Sequence, residues 1–365
     1  MSTEQEGGGV AALPLTPAVT WLLRHGAAAS GPGMLLAGLA GRLAEEGLAL
    51  ARASLSVASL DPMTAARDFR WRGEDGRVVE VPRFHGAQRP AATEAGGLTL
   101  AVPGTEHSVT WVAAAPAGFG AAERERLAAL AWALAAPLQA VVARGTLQSL
   151  LQAYLGRRSA ARVLAGAARR GAGEVIEAVI WVSDLRDFTR LSEEQPPEQV
   201  IAALNDSCAR LVGAIQPFGG EVLKFIGDGL LAIFPLAERG AAAAAAAALA
   251  ALRAARAGMA ALDAERAAAG LPLLPFGVAL HLGPVMYGNI GAADRLDFTA
   301  IGPAVNRAAR IEGLCRTLRC PVLASAAFAA AAPAAALVAR GTHRLRGIAG
   351  PVELYTLPEL AGERG

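Results

Sequence analysis

The stretch Gly219–Phe234, GGEVLKFIGDGLLAIF, reads as two apolar strands folded about a Gly-Asp-Gly turn. A turn of that composition between β-forming runs is a strong hairpin signal. Upstream, VIEAVIWVSDL (175–185) reads as a buried strand, and a helix starts near Pro197 after a loop. Downstream come an Ala-rich helix, the strand PFGVALHLGPVMYGNIG (275–291), DFTAIG (297–302) and the helix PAVNRAARIEGLCRTL (303–318). HRLRGIAGPVELYTL (343–357) adds a terminal hairpin.

The order strand, helix, strand, strand, helix, strand predicts an α/β (α+β) unit with a ferredoxin-like βαββαβ core. In such a sheet the first strand lies beside the hairpin. Asp184 closes that strand and Asp228 sits in the hairpin turn, so their carboxylates converge. Paired carboxylates suit Mg²⁺ or Mn²⁺ held jointly with substrate phosphates. Beyond Asp184 the chain turns into a loop, and the backbone N–H groups of Phe188 and Thr189 are candidates for phosphate oxygens. No G-x-x-x-x-G-K-[ST] occurs, which excludes a P-loop enzyme.

Composition excludes further classes. The net charge is +2 with no dense basic block, so no nucleic-acid groove is expected. The three cysteines, Cys208, Cys315 and Cys320, lack zinc-site spacing and suit a reduced interior. The N-terminus has no signal-peptide pattern, and the Ala-rich run is broken by Arg. A cytoplasmic chain without a membrane span is the expectation. His281 and the tryptophans Trp71, Trp111 and Trp132 read as packing residues.

Five spaced segments carry a family resemblance: SDLRDFTRLSE, GGEVLKFIGDGLLAIF, HLGPVMYGNIG, FTAIGPAVNRAARIE and LRGIAGPVELY. Together, over residues 174–358, they resemble the class III adenylyl/guanylyl cyclase catalytic domain. The resemblance implies conversion of ATP to cyclic AMP and pyrophosphate by a head-to-tail homodimer. It implies that Asp184 and Asp228 hold two metal ions per site. Lys224 and Thr299 then contact the base, Asn306 and Arg310 stabilise the transition state, and Arg346 meets the triphosphate. Asn306 and Arg310, four residues apart on one helix, share a face as that role needs. Lys224 is the sole lysine among 34 Lys and Arg residues. Its donor-only ammonium matches adenine N1, and the Thr299 hydroxyl can accept from N6. A guanylyl cyclase would carry an acid at 224, and a diguanylate cyclase would need a G-G-[DE]-E-F turn. A catalytically silent cyclase-like module is the rival from another class. Two departures stand out: Asp187 replaces a glycine common in the family, and Thr299 replaces an aspartate. The threonine resembles a branch that includes bicarbonate-responsive members, which implies bicarbonate or another small molecule as regulator. Although Lys224 and Asp228 are four residues apart, they are expected to serve different sites.

The N-terminal half is read from its pattern of elements. A helix (33–47), short strands between 50 and 115 and a helix from 121 follow one another. Helix, antiparallel sheet and closing helix resemble a GAF-like sensor domain. The expected organisation is a flexible tail (1–17), a sensor (18–140), a helical linker (141–173), the catalytic domain (174–358) and a tail (359–365).

Overall fold

The computed structural model describes residues 15–58, 64–84, 97–166, 169, 171–237, 239–292 and 294–362. Most of the expected N-terminal tail, and residues 363–365 of the C-terminal one, lie outside these. The chain divides into two compact units, Met1–Leu150 and Leu151–Gly365.

The first unit starts with α1 (Pro17–His25) and α2 (Pro32–Glu45). Thr16 caps α1, its hydroxyl accepting from the Val19 N–H at 3.3 Å. Five strands follow: β1 (Leu50–Ala58), β2 (Thr64–Arg72), β3 (Val78–Phe84), β4 (Gly97–Ala101) and β5 (Ser108–Ala113). They form one antiparallel sheet in the order β3-β2-β1-β5-β4. Alternation along β1 sends Ala53, Leu55 and Val57 into a core with Phe69, Trp71, Trp111 and the apolar stripes of α1, α2 and α3 (Ala121–Leu155). Trp132, in contrast, is exposed. The helix α3 runs through the domain edge expected at residue 140 and ends at Leu155. Buried Pro137 does not stop it, and the last buried residue of the helix is Val141. Gly156, at φ 82°, ends the helical path, and α4 (Arg157–Leu164) follows.

The second unit contains β6 (Gly173–Leu185), α5 (Phe188–Glu194), α6 (Pro197–Ile215), β7 (Glu221–Ile226), β8 (Gly229–Pro235), α7 (Gly240–Ala268), β9 (Phe276–Gly291), β10 (Leu296–Ile301), α8 (Pro303–Thr317), β11 (Val322–Ser325), α9 (Ala326–Ala331), β12 (Val338–Arg344) and β13 (Pro351–Thr356). The sheet order is β12-β13-β11-β9-β6-β8-β7, with β10 paired to β9. Its β9-β6-β8-β7 part is the expected ferredoxin-like core, and β12–β13 is the expected hairpin. Successive residues of β6 face opposite sides. Val179 and Trp181 meet the alanine-rich face of α7 and the inner face of α6. Ala178 and Ile180 meet Ala304 and Ala308 of α8 and Phe298 of β10. The helix α4 is anchored on this second side, where buried Glu221 accepts from the Ser159 N–H at 2.9 Å, the Ser159 hydroxyl at 2.7 Å and the Tyr287 hydroxyl at 3.0 Å.

Among the described residues two helices, α3 and α7, are long and apolar enough to cross a membrane by length and composition. Each buries one face in its own unit's core, and α7 is the crossover between β8 and β9. The cysteines are free, with Cys315 and Cys320 buried. Buried His281 bonds the Ser325 hydroxyl at 2.7 Å, which suits a packing role.

Candidate active site

The two strand-end acids meet. Asp184 lies at the end of β6, whose Ser183 pairs with Leu230 of β8 just beyond the hairpin turn. That turn is Gly227-Asp228, closed by the pair Ile226↔Gly229. Gly227 has φ 62° and Asp228 keeps a negative φ, which matches the glycine-first turn that fits strand twist. Gly229 is required for the approach. A Cβ there would stand 2.9 Å from Asp184 Oδ1 and 3.0 Å from the Ser183 carbonyl oxygen. Burial, and then the neighbouring charge of Asp228, push the Asp184 carboxyl up to about 7. Two half-buried carboxylates pressed together in this way form a site short of positive charge.

Two residues that the sequence reading passed over complete this corner. Arg186 lies over Gly277, where there is no side chain to block it, and bonds Glu312 at 2.7 Å. Glu312, on α8, is buried, and burial raises its pKa despite Arg186. The signal was there: Glu312 ends the FTAIGPAVNRAARIE segment and Arg186 stands two residues past Asp184.

The loop expected around Phe188 and Thr189 is instead the first turn of α5, a short helix that begins at Phe188. A tight entry makes this possible. Asp187 takes φ 56°, a left-handed conformation that favours glycine, and its carboxylate accepts from Arg316 at 2.7 Å. This explains the departure at 187: the position asks for glycine, and aspartate is among the few residues that tolerate it.

Further back along the hairpin, Lys224 sits in mid-β7 just after a bulge at Leu223, between the pairs Val222↔Ala232 and Lys224↔Leu231. Its partner is Asp297 of β10, at 2.5 Å, not Asp228. Thr299 lies two residues beyond Asp297 on the same face of β10. Its hydroxyl is buried and has no hydrogen-bond partner.

Asn306 and Arg310 are exposed on α8. Glu312 lies about 200° around the helix from Arg310 at 3.6 residues per turn. The face carrying Asn306 and Arg310 is therefore turned away from the one that reaches the Asp184 corner. Arg346 is exposed in the connection between β12 and β13. One chain thus brings Asp184 with Asp228, and Lys224 with Asp297 on the Thr299 face, but does not bring Asn306 and Arg310 to the acids.

The model of the adenylate and guanylate cyclase catalytic domain matches residues 173–359, half of the chain. The chain belongs to that cyclase family. An adenylate cyclase of Anabaena cylindrica is 34% identical over 153 residues, covering 42% of this chain and 30% of that protein. Adenylate cyclase 1 of Rhizobium meliloti (strain 1021) is 30% identical over 156 residues, covering 42% of this chain and 23% of that protein. The chain therefore spans less than a third of either relative. The solved structure of a bacterial light-regulated adenylyl cyclase superposes with a TM-score of 0.52 at 28% identity, covering 60% of this chain and 64% of that one. The expected family and the α/β cyclase architecture are borne out.

The cyclase acids fit divalent ions. Among the described residues no group of three or more His, Cys, Asp and Glu side chains forms a metal cage. Two carboxylates with an open side, over a glycine that leaves them room, suit ions whose other ligands come from a polyphosphate.

Proposed function

We propose that the chain is an adenylyl cyclase, forming cyclic AMP and pyrophosphate from ATP at two sites shared between the subunits of a homodimer. The observation that carries this reading is the base-facing pair. Lys224 presents a donor-only cation beside the face of β10 that holds the buried, unpartnered Thr299 hydroxyl. A buried hydroxyl without a partner costs roughly 1–3 kcal/mol. Adenine N6 would satisfy it while N1 accepts from Lys224. Guanine, with a hydrogen on N1, would face that ammonium with a donor.

Asp184 and Asp228 would hold Mg²⁺ or Mn²⁺, two ions per site, with the triphosphate. Bound there, the ions supply Lewis-acid polarisation of the ribose 3′-hydroxyl and of the phosphates. The chain's own groups do the rest. Asn306 orients the ribose, and Arg310 and Arg346 meet phosphoryl oxygens as charge moves to the leaving group. The outward face of α8 supports a second subunit as the source of Asn306 and Arg310. So do the exposed Phe225 and Ile226 beside the acid turn, apolar residues that a subunit contact would cover. The N-terminal unit is proposed as the regulatory input, and bicarbonate as an effector to be tried alongside it.

The test is direct. Purified chain with Mn²⁺ and ATP should yield cyclic AMP, and with GTP far less cyclic GMP. No cyclic AMP from a folded dimer would leave the silent-module reading standing. Preference for GTP would reverse the base assignment.

A further inference from the structure

The face of the N-terminal sheet opposite its helices has an unusual charge pattern. It lines a concavity of about 590 Å³. On it stand Arg52 of the central strand β1, Arg70 and Arg72 of β2, and Arg83 of β3. Arg52 and Arg72 are direct cross-strand partners, and Arg70 pairs with Ser54, two positions along β1. Like charges placed directly opposite destabilise a sheet. Among the residues lining the concavity four arginines stand with one acid, Asp68, and Arg72 is also paired at 3.4 Å with Asp75 of the turn that follows β2. Arg70 is exposed and makes no ion pair among the described residues. Asp68 is buried, and its Oδ1 accepts no hydrogen bond. The Arg83 guanidinium stands 3.9 Å from it. Hydroxyls of Ser54, Ser56 and Thr110 floor the concavity, and Val79 and Val81 give it an apolar side.

We propose that this sheet face binds a small organic anion, with a phosphate or carboxylate at one end and a hydroxyl or amino donor beside it. The anionic end fits among Arg52, Arg70 and Arg72, whose planar forks match oxyanions with paired bonds. The donor meets the unpartnered Asp68 oxygen. A cavity of this size holds a metabolite-sized molecule. Any effect on turnover rests on the reading of this unit as the regulatory input; binding does not.

Isothermal titration of the full chain tests it with two probes, glucose 6-phosphate for phosphate esters and malate for hydroxycarboxylates. At least one should bind saturably, with one site per chain, and the responding probe identifies the anionic group. Arg70→Ser with Arg72→Ser should weaken it about tenfold or more, the loss of a charged hydrogen bond or two. Arg253→Ser, which removes one such charge from an exposed position on α7, should leave it unchanged and so serves as the charge control for the single Arg70 variant. If the double variant does not fold, Arg70→Gln, at an exposed position without an ion pair, should still weaken binding. No saturable heat from either probe, or equal affinity in the Arg70 variants, overturns the site. Since heat is the readout, an inactive cyclase would not alter the result.

Discussion

The two ends of the β7–β8 hairpin handle charge in opposite ways. At the turn, Asp184 and Asp228 crowd together, and Asp184 is pushed up to about 7 by burial and by that neighbouring charge. Further back along β7, Lys224 is neutralised by Asp297 at 2.5 Å, while the nearby Thr299 hydroxyl is left without a partner. The turn end carries more negative than positive charge, with Asp184, Asp228 and Glu312 against Arg186, and the other end lacks a hydrogen-bond partner. Each deficit names what should fill it: ions with a polyphosphate in one case, the edge of a neutral purine in the other.

The strongest attempt to break this contrast is Asp228→Ala. Cyclic AMP formation should fall by at least about 10³-fold, since the ion site loses half its carboxylates. The melting temperature should hold or rise, because repulsion with Asp184 is relieved. Retained turnover, or a large loss of stability, would mean the turn end is not under electrostatic stress.

The opposite end is probed by Lys224→Glu combined with Thr299→Cys. Turnover of ATP should drop by about 10²-fold through mismatched hydrogen bonds, with GTP admitted instead. A double variant that cyclises ATP like the parent would remove the base-reading role.

Mixing Asp228→Ala with Asn306→Ala protein sharpens the separation of the two ends. Each variant alone should be nearly inactive. In a shared-site dimer one heterodimer site keeps all its groups and the other carries both lesions. Random pairing should then restore about a quarter of parental activity. No recovery after demonstrated subunit exchange would place the whole site within one chain.

The smallest effect is on stability against pH in chelator-treated protein. Asp184 keeps its proton in the folded chain between 3.8 and about 7, where the unfolded chain has already released it. The folded state binds more protons there, so its stability falls as pH rises through that window. Thermal melts should show this decline, Asp184→Asn should flatten it, and Mn²⁺ should offset it at the upper end. An unchanged slope in Asp184→Asn would assign the titration to another group.

Most of the second unit could be read from periodicity and turns. The hairpin, the helix starting at Pro197 and the terminal β12–β13 pair all fall where the residues placed them. Asp184 and Asp228 were legible because a first strand and its hairpin are neighbours in a βαββαβ sheet. Lys224 stood out through composition alone, but Asp297 did not, since only the pairing of β10 with β9 brings it within reach of β7. The Arg186–Glu312 bond was hidden for a similar reason, as it joins positions 126 residues apart. The start of α5 was missed because it depends on one left-handed residue, Asp187, and sequence patterns carry no sign of φ for a non-glycine. The edge expected at residue 140 falls inside α3, since a boundary between folding units need not interrupt a helix.

The two-faced helix α8 has a kinetic consequence under the shared-site reading. With Glu312 turned inward and Asn306 and Arg310 outward, a single chain holds two half-sites and no whole one. Below the dimer dissociation constant, turnover would scale with the square of the chain concentration, so dilution would lower activity per molecule. Cyclic AMP output would then respond to how much of the protein is made more steeply than in proportion.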